Sequence, residues 1–316
     1  MIKQRDLYVD VAKGIAMLLV VRIHSEVFGV LHAPYPIIAV PFFFFLSGFY
    51  DNTEKPLSVW LPKAFKRLFL VGIIWVLISF LYISFLHYLK DRTIPIDFSW
   101  QMPLIGGGVV WFLLALFYAK CGAWLIGKTK LPSYFIMSLL ILLGGAISRY
   151  DLPLLLDEGI AAIPFYYFGK LAYPFINKRW DMVKWLAFIG VVCVLLMQMP
   201  FFPSVFVPYA SHSILYYPLF YAMTICSFAT LLFISKKLEQ QKWLSKFGTQ
   251  SLGILVLHPL MLHTCVVIAN RIMVFGSITW IVVLLVCYVI VCIMSYFSSN
   301  WISRHIPILF GLYAKS

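Results

Sequence analysis

Charged residues are scarce in this 316-residue chain. They make up 12% of the chain, and only 12 residues are acidic, whereas about a quarter of a typical soluble domain is charged. Hydrophobic residues make up 62%. This balance excludes an ordinary soluble domain and predicts an integral membrane protein.

Signals for metal sites and for secretion are also missing. The six cysteines stand in apolar segments without a C-x-x-C spacing, so we expect free thiols and no metal site. The first apolar run is interrupted by Arg22, and no small-residue cleavage site follows it. We therefore expect this segment to remain in the mature protein.

Long apolar runs, by contrast, are abundant. At about 20 apolar residues per span, the sequence predicts an all-α polytopic membrane protein with about ten transmembrane helices, in a single domain over residues 1–316. The second span is short, and Gly169 and Lys170 interrupt the apolar run of the sixth, so these two are the weaker spans. The predicted spans are 10–30, 35–50, 68–88, 108–127, 132–148, 158–176, 181–200, 213–235, 250–270 and 277–300.

Basic residues are unevenly distributed between the predicted loops. A cytoplasmic N-terminus assigns 17 lysines and arginines to inside segments and 4 to outside loops. Short loops follow the positive-inside rule, so this asymmetry predicts that both termini are cytoplasmic. It also accounts for most of the net charge of +13. We therefore expect the lipid bilayer, and no nucleic acid, as a partner.

The first predicted span carries more charge than a lipid-facing helix tolerates. Lys13 and His24 are 11 residues apart, which is three helical turns plus about 20°, so they share one face with Asp10. Arg22 lies nearly opposite Lys13, and Glu26 follows Arg22 at the spacing of an i,i+4 ion pair. Charged residues inside a membrane usually line a site or a water-filled cavity, so this span predicts a functional site.

A basic cluster precedes the third predicted span. Lys63 and Arg67 are four residues apart with Lys66 beside them, so an α-helix would present the cations on one face. They are either ordinary cytoplasmic anchors of the span or a clamp for a phosphate or pyrophosphate group. The residues alone leave both interpretations open.

Further polar candidates lie in other predicted spans. Ser47 follows four phenylalanines, and Trp111 follows the glycines that open the fourth span. His258 precedes Pro259, which has no N–H for the carbonyl of Leu255, so the helix should bend there or admit a polar partner. For His258, a packing role and a functional role both remain open.

The predicted outside loops are rich in proline and aromatic residues, as in the HAPYP segment at 32–36 and the loop at 199–213. Exposed aromatic rings next to acidic residues suit the faces and hydroxyls of a sugar. An interfacial aromatic belt explains the same composition equally well.

Taken in order, these motifs resemble the acyltransferase-3 family of integral membrane acyltransferases, and within it the sugar O-acetyltransferases of the fucose 4-O-acetylase type. The motifs are DVAKGIAMLLVV leading to His24, Lys13-x10-His24, PFFFFLSGFY, Lys63-x3-Arg67, VVWFLLALF and GTQSLGILVLHPL. The resemblance implies a cytosolic acyl-CoA, commonly acetyl-CoA, as co-substrate and no permanently bound cofactor. It implies an acceptor hydroxyl on a surface or lipid-linked carbohydrate, such as an exopolysaccharide or capsule, and a bacterial plasma (inner) membrane.

The resemblance also implies residue roles. The family's basic-x10-His motif falls on Lys13 and His24, and its Arg-x3-Arg motif on Lys63 and Arg67, with Lys66 as a further donor-binding cation. Lysine at 63 keeps the charge but loses the bidentate fork of arginine. His24 suits a general base that takes the proton of the acceptor hydroxyl. Lys13 suits donor binding or the orientation of charge along the acyl-CoA tunnel, with Asp10, one turn before it, as its partner.

Some candidates keep open alternatives. Ser47, Trp111 and His258 are candidates for stabilising the developing negative charge. Glu26 is a substrate candidate, or it forms with Arg22 an ion pair that packs against another span. The intramembrane charges also allow a transporter or exporter of a small acylated or anionic metabolite.

Overall fold

The computed structural model describes residues 6–25, 38–92, 111–147, 152–197, 216–272 and 277–312. Within these ranges the chain is helical and contains no strand, as the sequence predicts. The α-helices of this part are α1 (Leu7–Ile23), α2 (Ala39–Gly48), α3 (Leu57–Ala64), α4 (Val71–Asp91), α5 (Trp111–Lys128), α6 (Ser133–Ile147), α7 (Leu156–Lys178), α8 (Trp180–Met197), α9 (Tyr216–Lys237), α10 (Lys242–Thr249), α11 (Ser251–Ile272) and α12 (Ile278–His305).

Four described segments are long and apolar enough to cross a membrane. They are Leu57–Leu89, Pro218–Lys237, Ser251–Ala269 and Ile278–His305, and α2 and α6 are shorter apolar helices. Each of the ten predicted spans overlaps a described helix. The number of helices that cross the bilayer, about ten, and the cytoplasmic position of both termini stay predictions.

The chain divides into two compact units. Unit 1 comprises Met1–Ala16, Ile37–Phe65 and Leu114–Gly248, and unit 2 comprises Met17–Pro36, Lys66–Leu113 and Thr249–Ser316. The boundary falls inside α1, after Ala16. That residues 1–316 form one domain stays a prediction.

Unit 1 has a core of aromatic rings. Phe45 of α2 lies 4.8 Å, centroid to centroid, from Phe228 of α9, and Phe165 of α7 stacks on Tyr221 at 4.5 Å. The Tyr221 hydroxyl donates to the carbonyl of Ala161 at 2.7 Å. Long apolar runs with little charge give these helices packing surfaces on several sides.

Two glycines allow α2 and α7 to pack closely in unit 1. A Cβ atom on Gly48 of α2 would collide with the carbonyl oxygen of Tyr166, and one on Gly169 of α7 would collide with that of Phe45. Only residues without a Cβ allow two backbones to pack this closely. Gly169 and Lys170 interrupt the apolar run of the sixth predicted span, but α7 is continuous through them. Gly169 is the contact point with α2.

Unit 2 packs α11 against α12 and binds the second part of α1. The Ser299 hydroxyl donates to Gln250 at 2.8 Å, and Trp280 and Leu284 of α12 form a buried cluster with Ala269 of α11. The Tyr288 hydroxyl of α12 donates to the carbonyl of Leu18 at 3.1 Å. The end of α1 is thereby held beside α12.

Two short helical segments complete unit 2. A π-helix, Phe65–Leu70, connects α3 to α4, and a 3-10 turn at Pro307–Phe310 follows α12. The Trp75 indole N–H donates to the carbonyl of Leu309 at 2.8 Å. Gly311, at φ +64°, leaves no room for a Cβ against the backbone of Arg67, so this turn packs on the start of the third predicted span.

Candidate active site

His24 lies directly after α1 and is exposed. The sequence predicts a helix through residue 30, but α1 ends at Ile23. The His24 amide still reaches back to the carbonyl of Val20 at 3.4 Å. The imidazole therefore stands at the end of the helix, where a substrate can reach it.

The ring of His24 contacts the ring of His258 on α11. Their centroids are 5.3 Å apart and the planes are inclined by 49°. Both histidines belong to unit 2, and both are predicted site residues that the structure brings together. The spacing of residues does not predict this contact, because the two histidines lie far apart in the chain.

His258 is completely buried. Its Nδ1 lies 2.8 Å from the carbonyl oxygen of Ile254, and because a carbonyl only accepts, Nδ1 is the donor. Its Nε2 is buried and has no hydrogen-bond partner among the described residues. α11 is continuous through Pro259. The His258 side chain bonds the carbonyl of Ile254, one residue before the Leu255 carbonyl for which Pro259 has no N–H.

Arg22, the unexplained charge of the first span, faces α12. It lies close enough to Tyr288 for its charge to act on the phenol. The predicted partner Glu26 lies outside the described residues, so the Arg22–Glu26 pair stays a prediction. The aromatic and proline-rich loop at 199–213 lies outside them too.

Lys13 and Asp10 belong to unit 1, on the first part of α1. The Lys13 ammonium lies over the ring of Tyr50, 5.5 Å from its centroid, which is a cation–π geometry. Asp10 is 3% exposed, and its backbone carbonyl packs against Gly248. Asp10 is thus buried in the helix packing, whereas Lys13 is half-buried.

The three predicted donor-binding cations are exposed. Lys63 lies near the end of α3, and Lys66 and Arg67 lie in the π-helix. The prediction that one α-helix carries all three is wrong, because the hydrogen-bond pattern changes to i→i+5 between Lys63 and Lys66. Pro62, which has no N–H and crowds the preceding turn, stands just before this change.

Two tryptophans and two further lysines of unit 1 contact one another, and sequence reasoning missed them. Trp60 is 1% exposed and contacts Trp124 at 6.3 Å. Lys120 lies over the Trp60 ring at 5.8 Å, and Lys128 over the Trp124 ring at 6.0 Å. The 120, 124, 128 spacing marks one face of α5 and was the available signal.

Two other candidates have local partners. The Ser47 hydroxyl donates to the carbonyl of Phe43 at 2.7 Å, so it would have to break this bond before it could donate to a substrate. Trp111 is the first residue of α5 and packs edge-on against Phe112 at 6.4 Å. Their proposed part in stabilising negative charge stays a prediction.

Unit 1 also holds an ion pair that the sequence did not reveal. The side chain of Asp51, 2% exposed, lies 2.9 Å from the Lys170 ammonium. It also accepts from the Tyr166 hydroxyl at 2.7 Å and from the Thr53 hydroxyl at 2.6 Å. Burial alone raises the pKa of Asp51, but the hydrogen bonds from Thr53, Tyr166 and Lys170 and the lysine charge outweigh burial and lower it.

A comparison with known families identifies the domain. A family model described as an acyltransferase domain, Acyl_transf_3, matches residues 6–297. This range contains every predicted site residue from Asp10 to His258. No curated protein and no solved structure matches the chain.

Proposed function

Because the chain belongs to the acyltransferase-3 family of membrane acyltransferases, we propose that it transfers an acetyl group from cytosolic acetyl-CoA to a carbohydrate hydroxyl. The acceptor is a surface or lipid-linked sugar, as in enzymes of the fucose 4-O-acetylase type. The family match over residues 6–297 and the four apolar helices long enough to span a membrane support this proposal.

The observation that carries the proposal is the pair of histidines, of which one is exposed and one is buried. A hydroxyl must lose its proton as its oxygen attacks the thioester carbonyl, and imidazole is the side chain suited to take that proton near neutral pH. His24 is exposed and His258 is not. His24 is therefore the general base.

The donor would bind through exposed cations. A coenzyme A molecule carries phosphate groups and an adenine ring, which require positive charge and a flat apolar surface. In unit 1, exposed Lys63 and Lys128 and the half-buried ring of Trp124 offer both. The part that the resemblance assigns to Lys66 and Arg67, which are exposed and belong to unit 2, stays a prediction.

The first helix supplies the remaining groups. Lys13, held over Tyr50, would attract the anionic donor, and buried Asp10, one turn before it on α1, would act as the partner of Lys13. With both termini cytoplasmic, as the distribution of basic residues predicts, the donor would bind on the cytoplasmic side of a bacterial plasma membrane. The acceptor side then lies outside.

The test is acetyl transfer by the purified, full-length protein in lipid nanodiscs. The donor is radiolabelled acetyl-CoA, and the acceptor is a total glycan extract from cells that lack the protein. His24→Ala should reduce transfer about a hundred- to ten-thousandfold without changing the thermal unfolding midpoint. His305→Ala, which removes another exposed histidine of unit 2, is the matched control and should be neutral.

Two outcomes would contradict the proposal. Full transfer by His24→Ala would exclude His24 as the base. Movement of a small anion across proteoliposomes without acetyl-CoA, and no acetyl transfer, would instead support the transporter interpretation.

A further inference from the structure

His258 has two ring nitrogens in opposite situations. Nδ1 donates its proton to the carbonyl of Ile254 at 2.8 Å. A neutral imidazole carries one proton, so Nε2 is left with a lone pair and no hydrogen. His258 in this form can accept a hydrogen bond at Nε2 but cannot donate one.

This lone pair is buried without a partner. Nε2 has no hydrogen-bond donor among the described residues, and the whole residue is inaccessible to solvent. Buried polar atoms are almost always bonded, so an unpaired one in a functional region requires an explanation. It also means that a substrate hydroxyl has no direct access to this nitrogen.

The neighbour that can supply the missing proton is the ring of His24. The two rings are in contact, with centroids 5.3 Å apart, while His24 itself is exposed. The end of α1 is held in this position by the hydrogen bond from Tyr288 to Leu18. At this centroid distance, a ring N–H of His24 turned toward His258 would come within hydrogen-bond reach of Nε2.

We propose that His258 is a positioning residue for His24, and the inference rests on the proposed function of His24. A ring N–H of His24 donates to His258 Nε2. This bond fixes the tautomer of His24, so that its other nitrogen carries the lone pair and faces the acceptor hydroxyl.

The acyl transfer then balances as follows. The hydroxyl O–H bond breaks, the proton bonds to the free nitrogen of His24, and the oxygen forms a bond to the thioester carbonyl carbon. The carbon–sulfur bond breaks, and the coenzyme A thiolate takes the proton from His24. While His24 carries the positive charge, the lone pair of His258 stabilises it.

The two nitrogens allow a sharp test, because two amide side chains each replace one of them. In His258→Asn the amide stands at the position of Nδ1, so it can keep the bond to Ile254 but cannot reach His24. In His258→Gln the amide oxygen stands near the position of Nε2 and can accept from His24. A purely structural role would therefore favour Asn, whereas the positioning role favours Gln.

The experiment measures kcat and KM for acetyl-CoA in nanodiscs, with the same glycan extract as acceptor. We expect His258→Asn to lower kcat about ten- to a hundredfold, with KM and the thermal midpoint unchanged, and His258→Gln to recover part of kcat. Wild-type kcat in His258→Asn would overturn the inference, as would a lower kcat in His258→Gln than in His258→Asn.

A measurement on the unsubstituted protein covers the case in which both variants fail to fold. Nitrogen-15 NMR of histidine-labelled protein in nanodiscs should show one buried histidine protonated at Nδ1 and hydrogen-bonded at Nε2. A spectrum in which every neutral histidine is protonated at Nε2 would contradict the inference. The two proposals fail separately, since an active His24→Ala refutes the base, and an inactive His24→Ala with a fully active His258→Asn refutes only the positioning role.

Discussion

The two units each contain a buried polar group, and the two groups differ in how completely they are bonded. In unit 1, Asp51 accepts from Thr53, Tyr166 and Lys170, so its negative charge is balanced. In unit 2, His258 uses one nitrogen for Ile254 and leaves the other without a partner.

This difference indicates that one group stabilises the fold and the other takes part in the reaction. A buried carboxylate whose acceptor positions are all occupied by hydrogen bonds stabilises the fold, but it cannot accept a further hydrogen bond from a substrate. A buried imidazole with one unbonded nitrogen stabilises the fold less, but its lone pair can accept a hydrogen bond during the reaction. The cluster at Asp51 should therefore control stability, and the pair at His258 should control the rate.

The largest effect is expected where the helix contact beside the Asp51 cluster is disturbed. Gly169→Ala places a Cβ against the carbonyl oxygen of Phe45, so α2 and α7 must separate, at a cost of about 3 kcal/mol. Thermal unfolding in detergent measures this loss. Gly127→Ala is the matched control, because no atom lies within 4 Å of its added Cβ; equal midpoints for the two variants would refute the close contact.

A smaller loss is expected when the carboxylate is neutralised. Asp51→Asn should lower the unfolding free energy by about 2 kcal/mol and leave kcat per folded molecule unchanged. The pKa of Asp51 is lower in the folded protein than in the unfolded chain. The carboxylate therefore contributes its full share to the free energy of unfolding at any pH above its unfolded pKa of about 3.9. This share is lost as the pH falls through the folded pKa. The midpoint of the parent protein should therefore fall more steeply than that of Asp51→Asn as the pH drops below about 4.

The control for Asp51 is an exposed carboxylate with a similar partner. Asp181 lies 2.7 Å from Lys184, with its side chain 90% exposed, and water screens such pairs. Asp181→Asn should therefore leave the thermal unfolding midpoint unchanged. A change of kcat in Asp51→Asn at unchanged stability would break the comparison between the two units.

The smallest effect concerns an exposed cation that belongs to neither buried group. Lys63→Arg restores the bidentate fork and should lower KM for acetyl-CoA about threefold, with kcat unchanged. Lys130→Arg, at an exposed lysine in the loop after α5, should leave KM as it is. If both substitutions act alike, Lys63 is only a cytoplasmic anchor.

The sequence predicted the long helices well because each is a nearly uninterrupted apolar run. The spans at 250–270 and 277–300 correspond to α11 and α12, each within a few residues at its start. The family was also predicted and is confirmed by the match over residues 6–297. Short α3 and α10 were missed because eight residues are too few for a span.

The pairing of side chains could not be predicted in the same way. His24 and His258, like Asp51 and Lys170, meet only through tertiary packing, and the spacing of residues along the chain holds no information about it. Lys170 was treated as an interruption, although a cation inside a membrane span requires a partner. That rule, applied strictly, would have prompted a search for an acidic residue such as Asp51.

The length of α12 makes the tilt of this helix depend on the thickness of the bilayer. Its 28 residues extend over about 42 Å, while the hydrocarbon core is about 30 Å thick. Trp301 and His305, stacked at 4.7 Å in its last turns, are residues suited to the interface between lipid and water. Since α12 also carries Tyr288, which holds the end of α1 by Leu18, a thicker or thinner membrane that tilts α12 would shift the position of His24.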